Sequence, residues 1–272
     1  MKILKAILVF LSFMIFLIVA VLAHVVITFI RPSRRWHFMK TLSCWLIRVL
    51  RKILGMKVSM KGHTEILKES GNFIISRHVG YTDGLVLGGL FPVMLLSKKE
   101  IRHWPVIGLV VQISGTVFVN RQEKDKISGC LEEMVALLKN RMNVVVFPEG
   151  TSTDGTRIKP FQTVFFRVPI AAKAAVVPVT IAYKSLNGQA LTPVNKDHIF
   201  WYGQIGFFQH LWNLFQFRSI EVEVTIHEKI FTDTYKDHSL DRKRLAANCF
   251  TAIAQGAGME KEMPKELEQV AQ

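Results

Sequence analysis

Hydrophobic and polar positions divide the chain into two unlike stretches. Residues 6–30, AILVFLSFMIFLIVAVLAHVVITFI, run for 25 positions without Lys, Arg, Asp or Glu. Roughly 20 apolar residues suffice to cross a bilayer core. A cleaved leader is the rival reading, because Lys2 and Lys5 make a basic start and Val21-Leu22-Ala23 could serve as a cleavage site. The apolar run continues past that point through Val25, Val26, Ile27, Phe29 and Ile30, and ends in Arg31, Arg34, Arg35 and Lys40. It therefore predicts a retained membrane helix, with the cation-richer side and the main body in the cytoplasm. A hairpin dipping into one leaflet stays open as an alternative. In the following segment, WHFMKTLSCWLIRVLRKILG (36–55), Trp36, Met39, Leu42, Leu46, Val49 and Ile53 recur at helical spacing among Arg48, Arg51 and Lys52. That pattern predicts a helix in the membrane interface, with a helix packed on the core as its rival.

Beyond residue 56 the period changes. Runs rich in Val and Ile at 71–76, 93–97, 116–120, 143–147, 175–182 and 220–227 predict strands. Between them, 124–140 places Ile127, Leu131, Met134, Val135 and Leu138 on one helical face. Alternating strands and helices predict a layered α/β domain. Residues 184–197, with Asn-Gly and Pro, predict a flexible loop, and 239–258 a closing helix. The chain divides into a membrane anchor (1–35), an interfacial amphipathic helix (36–58), a catalytic domain (59–258) and a charged tail (259–272). The aromatic segment 199–217 has two readings, a core helix or a second surface touching lipid or an acyl chain.

Composition narrows the function classes. A net charge of +14 suits nucleic acid, an anionic membrane surface or an acidic substrate. The apolar N-terminus selects the membrane, and no nucleic-acid motif is present. Cys44, Cys130 and Cys249 are scattered and odd in number, so they predict neither a disulfide framework nor a zinc site, and fit a reducing compartment. No glycine-rich nucleotide loop or metal-ligand spacing is visible, and no cofactor is expected.

The candidate chemistry begins at 77-RHVGYTD-83. Five positions on a regular helix turn about 500°, leaving His78 and Asp83 about 140° apart, so they meet only if the chain turns at Gly80. A carboxylate on one ring nitrogen fixes the tautomer and leaves the other as a base. No serine or cysteine is appended, so such a dyad suits a substrate that brings its own hydroxyl. Alone, the spacing also fits a loop histidine bonded to a helix-capping aspartate. Three further groups follow in order at predicted strand ends. They are Gly115 to Arg121 (GTVFVNR), residues 147–153 (FPEGTST), and AVVPVTIAY at 175–183, whose proline predicts an edge strand or a bulge.

His-x4-Asp, Gly-x5-Arg, Phe-Pro-Glu-Gly-Thr and Val-Pro-Val, in this order over about residues 70–185, resemble the four blocks of the glycerolipid acyltransferase family. The resemblance implies a mixed central sheet flanked by helices. It implies transfer of a fatty acyl group from acyl-CoA or acyl carrier protein to a lysolipid hydroxyl. The first acceptor it implies is 1-acylglycerol-3-phosphate, with lyso-ornithine lipid or another lysophospholipid as the alternative. His78 would be the base and Asp83 its orienting partner. Gly115, Arg121, Glu149, Gly150 and Thr151 would hold the acceptor. Two departures stand out: Arg77 where the family usually has Asn, and Gln162 where many members carry Lys, with Arg157 and Lys159 as candidate replacements. Expected partners are membrane lipids, the lysolipid and the acyl thioester, on the cytoplasmic face of a bacterial inner membrane or its equivalent. Two rivals belong to other classes. A lipid hydrolase would need a nucleophile, for which Ser152 is the candidate, and a basic binding protein would leave the four blocks idle.

Overall fold

The structure is a computed structural model, describing residues 1–30, 35–114, 116–119 and 124–260. Helices α1 (Lys2–Ile30) and α2 (Arg35–Leu54) come first. The domain follows as β1 (Met56–Gly62), β2 (Phe73–Ser76), α3 (Tyr81–Gly88), β3 (Met94–Lys98), α4 (Ile107–Ile113), β4 (Val117–Val119), α5 (Lys124–Lys139) and β5 (Val144–Val146). It closes with α6 (Arg167–Ala172), β6 (Val176–Leu186), β7 (Gln189–Ala190), α7 (Phe207–Leu214), β8 (Ile220–Ile226) and α8 (Ser239–Ala257).

The sheet runs β1-β8-β6-β2-β5-β3-β4, with β7 hydrogen-bonded to β6. Strands β6, β2, β5, β3 and β4 pair in parallel, β1 pairs in parallel with β8, and β8 runs antiparallel to β6. The sheet is therefore mixed and flanked by helices, as the family resemblance implied. Side-chain alternation splits the core into two layers. Phe73 and Ile75 of β2, with Val144 and Val146 of β5, face one side, where Leu131, Met134 and Leu138 of α5 and Leu245, Phe250 and Ile253 of α8 cover them. Ile74, Val145, Val177, Val179 and Ile181 face the other side, against Val86 and Leu87 of α3 and Leu214 of α7. Large side chains such as Phe73, Phe166 and Phe250 lose all solvent exposure, each contributing about 1.5–3 kcal/mol of transfer free energy.

Helices α1 and α2 form an antiparallel pair. Phe16 and Ala20 of α1 pack on Met39, Leu46 and Leu50 of α2. At the other end of the pair, Lys5 donates to the carbonyl of Leu54 at 3.3 Å. The opposite face of α1 is open: Phe10, Leu11, Ile15 and Ile18 are all exposed. Its 29 residues extend about 43 Å, and its apolar window is long enough to cross a membrane.

Several boundaries differ from the sequence reading. Residues 56–58 belong to β1, not to the preceding helix, because Met56 pairs with Ile220 and Val58 with Val222. Two of the basic residues expected at the headgroups turn inward instead. Arg48 donates to the carbonyls of Gly89 (2.8 Å) and Leu90 (3.0 Å), and Arg51 to that of Val86 (3.4 Å), so both close the C-terminus of α3. Residues 184–197 are not all loop. Strand β6 continues to Leu186, and Asn187-Gly188, both at positive φ, turns it into β7. Pro178 does not mark an edge: β6 pairs on both sides, and its irregularity lies between Tyr183 and Ser185. The proline is tolerated because Val176 points its N–H at Ile230, so position 178 faces the same way, where β8 has already ended at Ile226.

Candidate active site

Strands β2 and β5 are neighbours and parallel, so the segments leaving their C-terminal ends emerge side by side. The first carries His78 and the second Glu149. His78 stands two residues before Gly80, the N-cap of α3, and Asp83 is the third residue of that helix. A carboxylate at this position folds back over the helix start, and this explains the five-residue spacing. Asp83 Oδ2 accepts the N–H of Val79 (2.7 Å) and of Gly80 (3.1 Å) and lies 2.9 Å from His78 Nδ1. Gly80 is required by close approach, since a Cβ there would fall 2.9 Å from the main-chain nitrogen of Trp201, whose N–H donates to the Val79 carbonyl.

Asp83 is fully buried, and its other oxygen is satisfied from across the sheet. Strand β6 overhangs β2, pairing Val179 with Ser76, and thus carries Tyr183 above the turn. The Tyr183 hydroxyl lies 2.8 Å from Asp83 Oδ1 and 2.9 Å from Thr82 Oγ1. Burial, reinforced by the Asp83 charge, holds the Tyr183 phenol well above its ordinary pKa. It therefore stays protonated and donates to the carboxylate. With Nδ1 bound to Asp83, Nε2 is the nitrogen turned to other work, and among the described residues it has no hydrogen-bond partner. The ring keeps 20% of its surface exposed and stacks on Phe147, with centroids 4.2 Å apart.

The turn after β5 grips the main chain of His78 from both sides. Glu149 Oε1 accepts the His78 N–H at 2.6 Å, while Thr153 donates to the His78 carbonyl through N (2.9 Å) and Oγ1 (3.2 Å). Glu149 Oε2 accepts the N–H of Lys159 at 2.9 Å. Both carboxylate oxygens are thus engaged by main-chain amides. Burial pushes the Glu149 pKa up to about 7 against those bonds and the nearby His78 and Arg77 charges. Gly150 donates its N–H to Phe147, so that amide is already committed to the turn, and the Gln162 amide lies over Gly150.

An apolar cavity of about 310 Å³ opens from this point. His78, Phe147, Thr151 and Ser152 line it, together with Leu46, Leu50 and Phe13 of the α1–α2 pair. Tyr81, Trp104 and Phe207 also line it. The structure thus brings together His78, Asp83, Glu149 and Thr151. Arg157 is exposed, and neither it nor Lys159 lines the cavity. Gly115 and Arg121 lie outside the described residues, although Ser114 and Thr116 line the cavity and β4 ends at Val119 on the same sheet edge. Tyr183, Phe147 and Trp201 support the site and were not legible as such. For Tyr183 the signal is register, which appears only once β6 is paired with β2.

Ser152 lies in the cavity wall, but among the described residues no hydrogen bond joins it to His78. A carboxylate-held imidazole that faces an apolar cavity and has no protein nucleophile bonded to it can activate a hydroxyl supplied by a substrate. Comparison with known proteins gives the same class. Residues 57–182 match the Acyltransferase family model. The chain is an enzyme, an acyltransferase. The chain is 29% identical over 247 residues to a lyso-ornithine lipid O-acyltransferase of Brucella abortus, covering 87% of this chain and 90% of that one. It is 27% identical over 155 residues to a 1-acyl-sn-glycerol-3-phosphate acyltransferase of Neisseria gonorrhoeae, covering 57% and 58% of the two chains. The fold matches the crystal structure of the 1-acyl-sn-glycerophosphate acyltransferase of Thermotoga maritima with a TM-score of 0.65. That match has 18% identity and covers 97% of this chain and 100% of that one.

Proposed function

We propose that this chain moves a fatty acyl group from an acyl thioester, acyl-CoA or acyl carrier protein, to the free hydroxyl of 1-acylglycerol-3-phosphate, giving phosphatidate. The observation that carries this reading is the His78–Asp83 pair opening onto the apolar cavity. The acceptor hydroxyl bonds to Nε2 of His78, which takes its proton as the oxygen attacks the thioester carbonyl. Asp83 stabilises the imidazolium that forms. The tetrahedral intermediate then collapses, the carbon–sulfur bond breaks, and the proton on His78 passes to the departing thiolate. The products are an ester and a free thiol. The acyl chain lies in the cavity between α2, α3 and α4, with its carbonyl at His78. Glu149 and Thr153 act as positioning residues that hold the histidine main chain. Arg157, Lys159 and Arg121 remain candidates for the headgroup.

Lyso-ornithine lipid is a second acceptor reading, favoured by a specific observation. Three relatives of that name align over 74–87% of this chain, and Gln162 stands where many family members carry a lysine. An uncharged side chain there suits a headgroup without phosphate. One experiment separates the two: the full chain in detergent with each lysolipid and each donor type, read by thiol release and product mass. Turnover on 1-acylglycerol-3-phosphate supports the first reading, turnover confined to lyso-ornithine lipid the second, and turnover on neither removes both. The anchor is placed in the membrane with the domain on the cytoplasmic face. A membrane-impermeant thiol reagent tests this on Leu240→Cys in intact cells: labelling before lysis would contradict it.

A further inference from the structure

We propose that α7, with the Trp104 segment and α4, forms a second membrane-contact surface that lies at headgroup depth beside the mouth of the cavity. This rests on the reading of α1 as a membrane helix. Phe208 and Trp212 are one helical turn apart and are 62% and 44% exposed. On the other side of the same helix, His210 and Leu214 are buried. The exposed face is completed by the amides Gln209 and Asn213. Aromatic rings interleaved with amides on one open helix face suit the bilayer interface, where one side of the helix is apolar and the other wet.

The surface extends beyond α7. The Trp104 ring lies 4.8 Å from that of Phe207 and 6.0 Å from that of Phe208, and Leu109 of α4 is 50% exposed. It is also continuous with the anchor. Lys5 of α1 donates to the carbonyl of Phe217, three residues past α7, at 2.5 Å. Phe13 of α1 and Phe207 and Leu211 of α7 line the same cavity. Arg102 and Arg218 are exposed on the flanking segments, and the chain carries a net charge of +14. The occupant of this surface is therefore an anionic bilayer. A lysolipid would pass sideways from the leaflet toward His78 without crossing water.

Cys44, Cys130 and Cys249 are buried, so one introduced exposed thiol takes a fluorophore selectively. An environment-sensitive dye goes in turn on Phe208→Cys, Trp212→Cys, Ile18→Cys of α1 and Leu240→Cys of α8, all in the full chain. Each protein is reconstituted into vesicles of phosphatidylcholine and phosphatidylglycerol carrying a nitroxide-labelled lipid. The expected result is a blue shift and quenching at 208 and 212, as at 18, with none at 240. Quenching at 18 while 208 and 212 behave like 240 would overturn the proposal and leave the anchor intact. Silence at 18 would remove the anchor reading as well. Signals at 208 that follow protein concentration and not the quencher would assign the surface to a second copy of the chain. As a second measurement, the double variant Phe208→Ser, Trp212→Ser should raise the apparent KM for acceptor presented in vesicles several-fold. With a short-chain monomeric acceptor it should leave KM unchanged; an equal rise with both would contradict the lipid contact.

Discussion

The two faces of the sheet are packed to different ends. Behind it, α5, α6 and α8 close over a continuous apolar layer that includes Phe73, Met134, Phe166 and Phe250, all without exposure. In front, α2, α3, α4 and α7 leave a cavity between them and present apolar side chains outward. The contrast teaches where each function resides. Dense packing behind fixes the strands, and incomplete packing in front leaves room for a fatty chain beside a histidine held by that fixed frame.

His78→Ala breaks the contrast most severely. Turnover should fall about 10²–10⁴-fold, the usual worth of a positioned acid–base group, with the melting temperature kept. Thiol release and a thermal melt on one preparation read both. Phe250→Ala, on the other face, should reverse the pattern. Stability should fall by about 3–5 kcal/mol in denaturant titration, while the acyl-length preference of the folded fraction stays the same. A changed preference would show that the two faces are not separable.

Glu149 joins the two kinds of behaviour, since it is buried yet holds the front-side histidine. Its carboxyl is raised from 4.5 to about 7, so between those values the folded chain keeps a proton the unfolded chain has lost. Stability from this group is therefore present below about 4.5 and lost as pH rises through about 7, a change of about 3 kcal/mol. Glu149→Gln cannot titrate and offers only one acceptor to two amides. Melts from pH 4.5 to 8 should show the stability of wild type relative to the variant shrinking as pH rises. A constant gap would place the carboxyl in its ordinary range. Tyr183→Phe removes the hydroxyl on Asp83 and should cost about 1–3 kcal/mol, with turnover reduced more than acceptor KM raised. The mildest test is Gly84→Ala on α3, where a Cβ meets only Leu95 at 3.7 Å. It should add up to about 1 kcal/mol of stability, and it narrows the cavity by a methyl group, so activity should decline for the longest acyl donors first.

Much of this arrangement is legible in residue order. The Val- and Ile-rich runs locate six strands because buried parallel strands read as continuous apolar stretches. The strand MKVSMKG (β1) escapes because it lies at the sheet edge with Ser59, Met60 and Lys61 exposed or half-exposed. Helices α3 and α4 escape because eight and seven residues, with Gly84 and Gly108 in them, carry too few turns for a period to show. Within the site, the spacing of His78 and Asp83 can be read from helix-capping geometry. The structure gives Glu149 a different setting from the headgroup contact the family resemblance implied, because both its oxygens meet main-chain amides. Tyr183 could not be assigned from spacing, since a hundred positions separate it from Asp83.

That grip on His78 also bears on how the chain becomes active during folding. Strands β2 and β5 are adjacent, with Phe73 opposite Val144, yet some seventy residues intervene. The histidine loop cannot acquire its Glu149 and Thr153 partners until that long segment has closed, a slow event for distant pairings. In a refolding experiment, regained turnover should trail the recovery of helical signal, so that catalysis itself times the closure.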